Sequence, residues 1–151
     1  PPFTGGLFLG STAIDSLSSG PFVIDHDQKL GLHGVVSWRP RRSLWTSASV
    51  RYDSGLVTNP SDPNQVRADP DYADLLPYVS LLSDPPRVRP RTLVDVMLGY
   101  ERFIGDRRRW EAVVQISNLT NRTALYNFQS IFVGTRLVQP RTLGVRLRWY
   151  W

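Results

Sequence analysis

The chain has 151 residues, 41% of them hydrophobic, with a formal net charge of +5 and no cysteine. That length holds one ordinary domain, no apolar run approaches the ~18 residues of a membrane helix, and the missing thiols exclude disulfides and thiolate metal sites. Lys29 is the single lysine, and the arginines are scattered over turns and strand faces instead of one basic helix or ribbon, so the positive balance does not point to nucleic acid.

Residues 1–28, with Gly5-Gly6, Gly10 and Ser18-Ser19-Gly20-Pro21, carry turn signals and read as a loop region; the strand pattern occupies 29–151. Five segments there alternate with the period of a β-strand. The first, Lys29 to Arg39, sets Leu30, Leu32, Val36 and Trp38 against His33, Ser37 and Arg39, and a turn at Pro40-Arg41-Arg42-Ser43 follows. The second, Leu44 to Asp53, sets Thr46, Ala48, Val50 and Tyr52 against Ser47, Ser49, Arg51 and Asp53. Trp45 falls on the polar side of that count; a bulge that re-aims it and packing inside both fit. Residues 54–90 are rich in Pro, Asp and Asn and read as a long connection, within which Tyr72 to Leu82 is apolar enough for a short helix or loop plug.

The third strand, Arg91 to Phe103, sets Val94, Val96, Leu98 and Tyr100 against Asp95, Gly99 and Glu101. Gly105 to Arg109 makes a tight turn. The fourth, Trp110 to Asn118, sets Trp110, Ala112, Val114 and Ile116 against Glu111, Gln115 and Ser117. A second long connection covers 119–140. In the closing strand Leu143, Val145, Leu147, Trp149 and Trp151 point one way, and Gly144, Arg146, Arg148 and Tyr150 the other.

Connections that alternate short, long, short, long suit an outer-membrane barrel, with short periplasmic turns and long extracellular loops. The aromatics agree: Trp38, Tyr100, Phe103, Trp110, Trp149 and Trp151, with Trp45, gather at the strand ends that meet the short turns or the C-terminus. That is the expected place of a periplasmic aromatic girdle. The expected fold is therefore all-β, an antiparallel transmembrane β-barrel of which these strands are the C-terminal portion, because closure needs at least ~8 strands. On that reading the apolar residues, from Leu30 to Leu147, face outer-membrane lipid.

Several segments together resemble the C-terminal end of TonB-dependent outer-membrane receptors. Val113-Val114-Gln115-Ile116-Ser117-Asn118-Leu119-Thr120-Asn121 is similar to the family's penultimate strand and the Asn-Leu-Phe/Thr-Asn element that ends it. Gly134, then Pro140-Arg141-Thr142 leading into the alternating tail, resembles the closing strand; here Trp151 stands where the family usually has Phe. Asp25-His26-Asp27-Gln28-Lys29-Leu30 and Tyr52-Asp53-Ser54-Gly55 resemble elements of the carboxypeptidase-regulatory-like subfamily. The resemblance implies a 22-stranded, plugged barrel in the outer membrane of a Gram-negative bacterium. It would import a scarce nutrient of the siderophore, vitamin, sugar or peptide class with energy relayed by the TonB complex. The plug and the TonB-engaging segment are not within these residues, so a longer protein is expected. The resemblance further implies that Leu143, Val145, Leu147, Trp149 and Trp151 form the signal read by the barrel-assembly machinery.

Other chemistry is sparse. Asp25-His26-Asp27, followed by His33, is the densest group of potential metal ligands, and a hydrogen-bond network at the rim suits it better than a closed metal site. Nothing resembles a nucleophile elbow, so no enzyme and no cofactor is expected. Arg51, Asp95, Glu101, Arg146 and Arg148 are candidates for a lumen-facing set, most simply paired across neighbouring strands. Arg41, Arg42 and Arg107 to Arg109 read as solvated turn residues. A soluble all-β binding module, or a passive porin or translocator barrel, is the alternative reading.

Overall fold

The computed structural model describes residues 27–58, 63–130 and 133–151. Two compact units emerge, each woven from separated stretches of chain.

The first unit to consider contains Gly31–Asp53, Thr92–Thr123 and Gln139–Trp151. It is built on β1 (Gly31–Arg41), β2 (Leu44–Asp53), β5 (Arg91–Ile104), β6 (Arg107–Ser117) and β9 (Thr142–Trp149), ordered β1-β2-β5-β6-β9. Successive long strands are thus sheet neighbours, an up-and-down meander. The sheet is open: β1 and β9 are its two edges, and no closed barrel forms among the described residues.

Both short turns are tighter than the sequence pattern suggests. β1 runs on through Pro40 to Arg41, which pairs with Leu44, leaving Arg42-Ser43 as a two-residue turn. Proline is tolerated there because β1 is an edge strand and its register slips between Trp38 and Arg41. At the other hairpin Ile104 pairs with Arg107, so the turn is Gly105-Asp106 and the three following arginines belong to β6. β9 stops at Trp149, two residues before the end of the alternation. The ladder still reaches Tyr150, whose N–H donates to the Arg109 carbonyl at 2.8 Å.

The second unit takes in residues 27–30, Ser54–Arg91 and Ala124–Val138. It holds α1 (Pro63–Ala68), two 3-10 turns at Pro70–Tyr72 and Leu76–Tyr78, the short pair β3 (Val79–Ser80) and β4 (Arg87–Val88), and the hairpin β7 (Leu125–Ser130) with β8 (Gly134–Leu137). The two long connections, 54–90 and 119–140, thus carry short elements of their own, including turns within the apolar stretch 72–82. Val66, Val79, Val88, Leu125 and Phe128 are buried together, flanked by Tyr72, Leu75, Leu76, Tyr78 and Leu81. The apolar stretch 72–82 supplies half of a core, and Pro77 helps break it into turns instead of one helix. Gly55 is held at φ +95, and a Cβ on it would strike the backbone carbonyl of Val88. Only glycine lets the chain leaving β2 pass so close to β4.

Candidate functional site

Cross-strand register fixes which residues share a face of the five-stranded sheet, because directly opposed residues in an antiparallel pair project to the same side. Leu32 lies opposite Tyr52, Val36 opposite Ala48 and Trp38 opposite Thr46. Val96 lies opposite Ile116, Leu98 opposite Val114 and Tyr100 opposite Ala112. Ile116, Val114, Ala112 and Trp110 in turn face Leu143, Val145, Leu147 and Trp149. One face is thus apolar from β1 to β9. The other carries His33, Arg51, Asp53, Asp95, Glu101, Glu111, Arg146 and Arg148.

In β5 and β6 the charged face is the more buried one, whereas on the edge strands β1 and β9 both faces are exposed. Leu143, Val145 and Leu147 are 70%, 67% and 76% exposed, whereas Glu101 and Glu111 on the opposite face are 5% and 6% exposed. Val113, also on the charged face, is buried, while Leu32, Val36, Trp38 and Leu98 on the apolar face are exposed. Scattered exposed apolar residues are ordinary, but a continuous apolar sheet face backed by buried carboxylates is not.

The charged face is internally satisfied. Arg39 Nη1 donates to Glu101 Oε2 at 2.8 Å and Arg108 Nη1 to Glu101 Oε1 at 2.9 Å, so two guanidiniums grip one carboxylate. The Arg108 guanidinium stacks 4.3 Å over the Tyr150 ring, and Tyr150 Oη donates to Glu111 Oε2 at 3.2 Å. Arg148 stands 3.8 Å from that same carboxylate oxygen. Arg51 pairs with Asp53 at 3.8 Å, and Asp95 accepts from the Asn118 N–H at 2.8 Å. Arg146 lies opposite Val113 and makes no ion pair among the described residues. All five residues of the anticipated lumen-facing set therefore share one face, and most are paired.

Trp45 packs on the charged face. A Cβ on Gly99 would fall 2.1 Å from its indole ring, so Gly99 is the slot that admits it. A ring that falls on the polar side of the alternation is accommodated by a missing side chain on the next strand, without a bulge.

Four members of the anticipated girdle align on the apolar face at the end bearing the short turns. Trp110 pairs with Trp149, Tyr100 and Trp110 lie 5.4 Å apart in a tilted arrangement, and Trp38 sits near the β1–β2 turn. Trp151 is fully exposed beyond β9. Phe103 departs from the pattern. It lies past the register shift, opposite Arg108, and alternation along β5 puts it on the side of Glu101, with the Arg42 guanidinium 4.4 Å above its ring. The turn arginines 41, 42 and 107–109 are all exposed; within that, Arg42 pairs with Asp106 at 3.1 Å and Arg108 with Glu101.

Comparison with protein-family models, curated proteins and solved structures gives no match.

Asn118 is a node that strand periodicity does not reveal. It is buried with φ near +50, donates through Nδ2 to the carbonyls of Arg122 and Gln139, and accepts the Arg122 N–H on Oδ1. Asn121, also at φ 50, accepts the Arg141 N–H. These asparagines close the turn after β6 and pin the residues that enter β9. The signal for them was the tolerance of asparagine for left-handed backbone together with its local hydrogen bonding.

Asp25 and His26 lie outside the described residues. Asp27 accepts from Arg87 Nη2 at 2.7 Å, an ion pair that engages its carboxylate. Among the described residues no three His, Cys, Asp or Glu side chains gather where a metal could be shared. In the second unit Arg67, Leu76, Ser80, Leu82 and Arg89 border an open hollow of about 280 Å³.

Proposed function

We propose that the five-stranded sheet is part of the wall of an outer-membrane β-barrel. Its apolar face meets lipid and its charged face meets the lumen. The chain serves as the C-terminal portion of a TonB-dependent transporter for a scarce nutrient, with residues 54–90 and 119–140 as extracellular loops that help capture it.

The observation that carries this reading is the exposed apolar face of the sheet, backed by a charged face on which Glu101 and Glu111 are buried. In water that arrangement leaves the hydrophobic effect unused over a whole sheet face; in hydrocarbon it is the favourable one. A charged face whose carboxylates are held by arginine and tyrosine suits a polar interior. The rhythm of connections supports the orientation, with two-residue turns at one end and long excursions from the other. Those excursions hold their own core and an open hollow edged by two arginines, features suited to capturing a solute. The assignment to energised import rests on the sequence resemblance, since fold alone does not fix function.

Mixing the chain with phospholipid vesicles and recording polarised infrared spectra tests the wall directly. The expected result is tilted β-strands that form only when lipid or detergent is present. A folded monomer in detergent-free buffer would contradict the reading and favour a soluble binding module.

A further inference from the structure

Seven arginines crowd the short-turn end of the sheet, at 39, 41, 42, 102, 107, 108 and 109, beside three carboxylates, Asp106, Glu101 and the Glu111 that lies directly opposite it. Three of them are committed: Arg39 and Arg108 to Glu101, and Arg42 to Asp106. The other four, Arg41, Arg102, Arg107 and Arg109, are exposed and make no ion pair or side-chain hydrogen bond among the described residues. Their placement follows the strands. Arg102 lies directly opposite Trp110 on the apolar face, Arg41 and Arg107 are the last and first residues flanking the two tight turns, and Arg109 is the additional residue where the β5–β6 register shifts. They therefore share one end of the sheet with Trp38, Tyr100, Trp110 and Trp149.

We infer that this end is a docking surface for the headgroups of anionic phospholipids, an inference that rests on the membrane-wall reading above. An aromatic belt sets the depth at which a sheet sits in a bilayer, because amphipathic rings favour the headgroup region. Cations at that same depth meet lipid phosphates. Arg102 supplies the decisive detail: a guanidinium on an otherwise apolar face, beside a tryptophan, extends its charge to the interface while its stem stays in apolar surroundings. Arginine also grips phosphate through two parallel N–H groups, which a lysine does not. Four such donors left unpaired by the protein, next to three that are satisfied, form a surface complementary to negative headgroups.

The experiment measures partition of the full chain into vesicles of phosphatidylcholine alone and of phosphatidylcholine mixed with phosphatidylglycerol, read by tryptophan emission. The wild-type chain is expected to favour the mixed vesicles. The variant with Arg41→Gln, Arg102→Gln, Arg107→Gln and Arg109→Gln should lose that preference by on the order of 600-fold, since each cation near an anionic surface favours binding about fivefold. A control carrying Lys29→Gln, Arg122→Gln, Arg136→Gln and Arg141→Gln removes equal charge elsewhere and should keep the preference. If the control loses as much as the test variant, net charge and not this surface is responsible, and the inference falls. Equal partition of the wild-type chain into both vesicle types overturns the headgroup inference while leaving the membrane wall standing. Failure to enter either vesicle overturns the wall reading as well.

Discussion

The two units obey opposite rules. In the unit holding β3, β4, β7 and β8, Leu125 and Phe128 are sealed from solvent together with Val66, Val79 and Val88, as in a protein folded in water. In the five-stranded sheet the valine and leucines of β9 are exposed, while Glu101 of β5 and Glu111 of β6 are buried. The contrast lies within a single chain, so composition, expression and overall charge cannot account for it. On the proposed reading, the sheet is built for different surroundings from the other unit. A mean hydropathy of -0.25 conceals this, because alternation averages a greasy face with a wet one.

Substitutions can break the comparison from either side. The largest effect is expected at Phe128, whose truncation to alanine should cost about 3–5 kcal/mol in denaturant unfolding of its unit, from lost burial and the cavity left behind. The same variant should leave lipid insertion of the sheet intact. Val145→Arg should do the reverse: about 2–4 kcal/mol lost from folding in lipid vesicles if the residue sits near the membrane centre, with little change in the denaturant transition of the Phe128 core. Equal folding of Val145→Arg and the parent in vesicles would show that this face does not meet lipid.

Smaller changes sharpen the account of the charged face. Gly99→Ala drives a methyl into the Trp45 indole and should cost about 1–3 kcal/mol as overpacking, recovered in the double variant with Trp45→Leu. No recovery would mean that the ring does not occupy that slot. Glu101→Gln strips the shared carboxylate from Arg39 and Arg108. Both guanidiniums are partly solvated, so the expected loss is only about 1 kcal/mol, checked by denaturant titration in detergent.

Much of the sheet was legible because period-2 alternation is a strong signal over ten residues. All five long strands and the partition of Val145 from Arg146 follow from it. The second unit was not legible, because strands of two to six residues and a helix of six carry too little periodicity, and its core unites residues some forty positions apart such as Val88 and Phe128. Trp45 and Phe103 were ambiguous for a related reason. One depends on a glycine in the next strand and the other on a register slip, and neither is a property of its own segment. Asn118 lay hidden because a buried asparagine is recognised by the carbonyls around it, which come from Arg122 and Gln139.

The central claim concerns which face meets lipid, and the absence of cysteine makes it directly measurable. Single cysteines at Val145, Arg146, Leu147 and Arg148, labelled with an environment-sensitive fluorophore in lipid vesicles, report each position in turn. The account predicts blue-shifted, quencher-protected emission at 145 and 147 and water-like, quenchable emission at 146 and 148. Uniform quenching at all four positions, or protection at 146 and 148 instead, would contradict it.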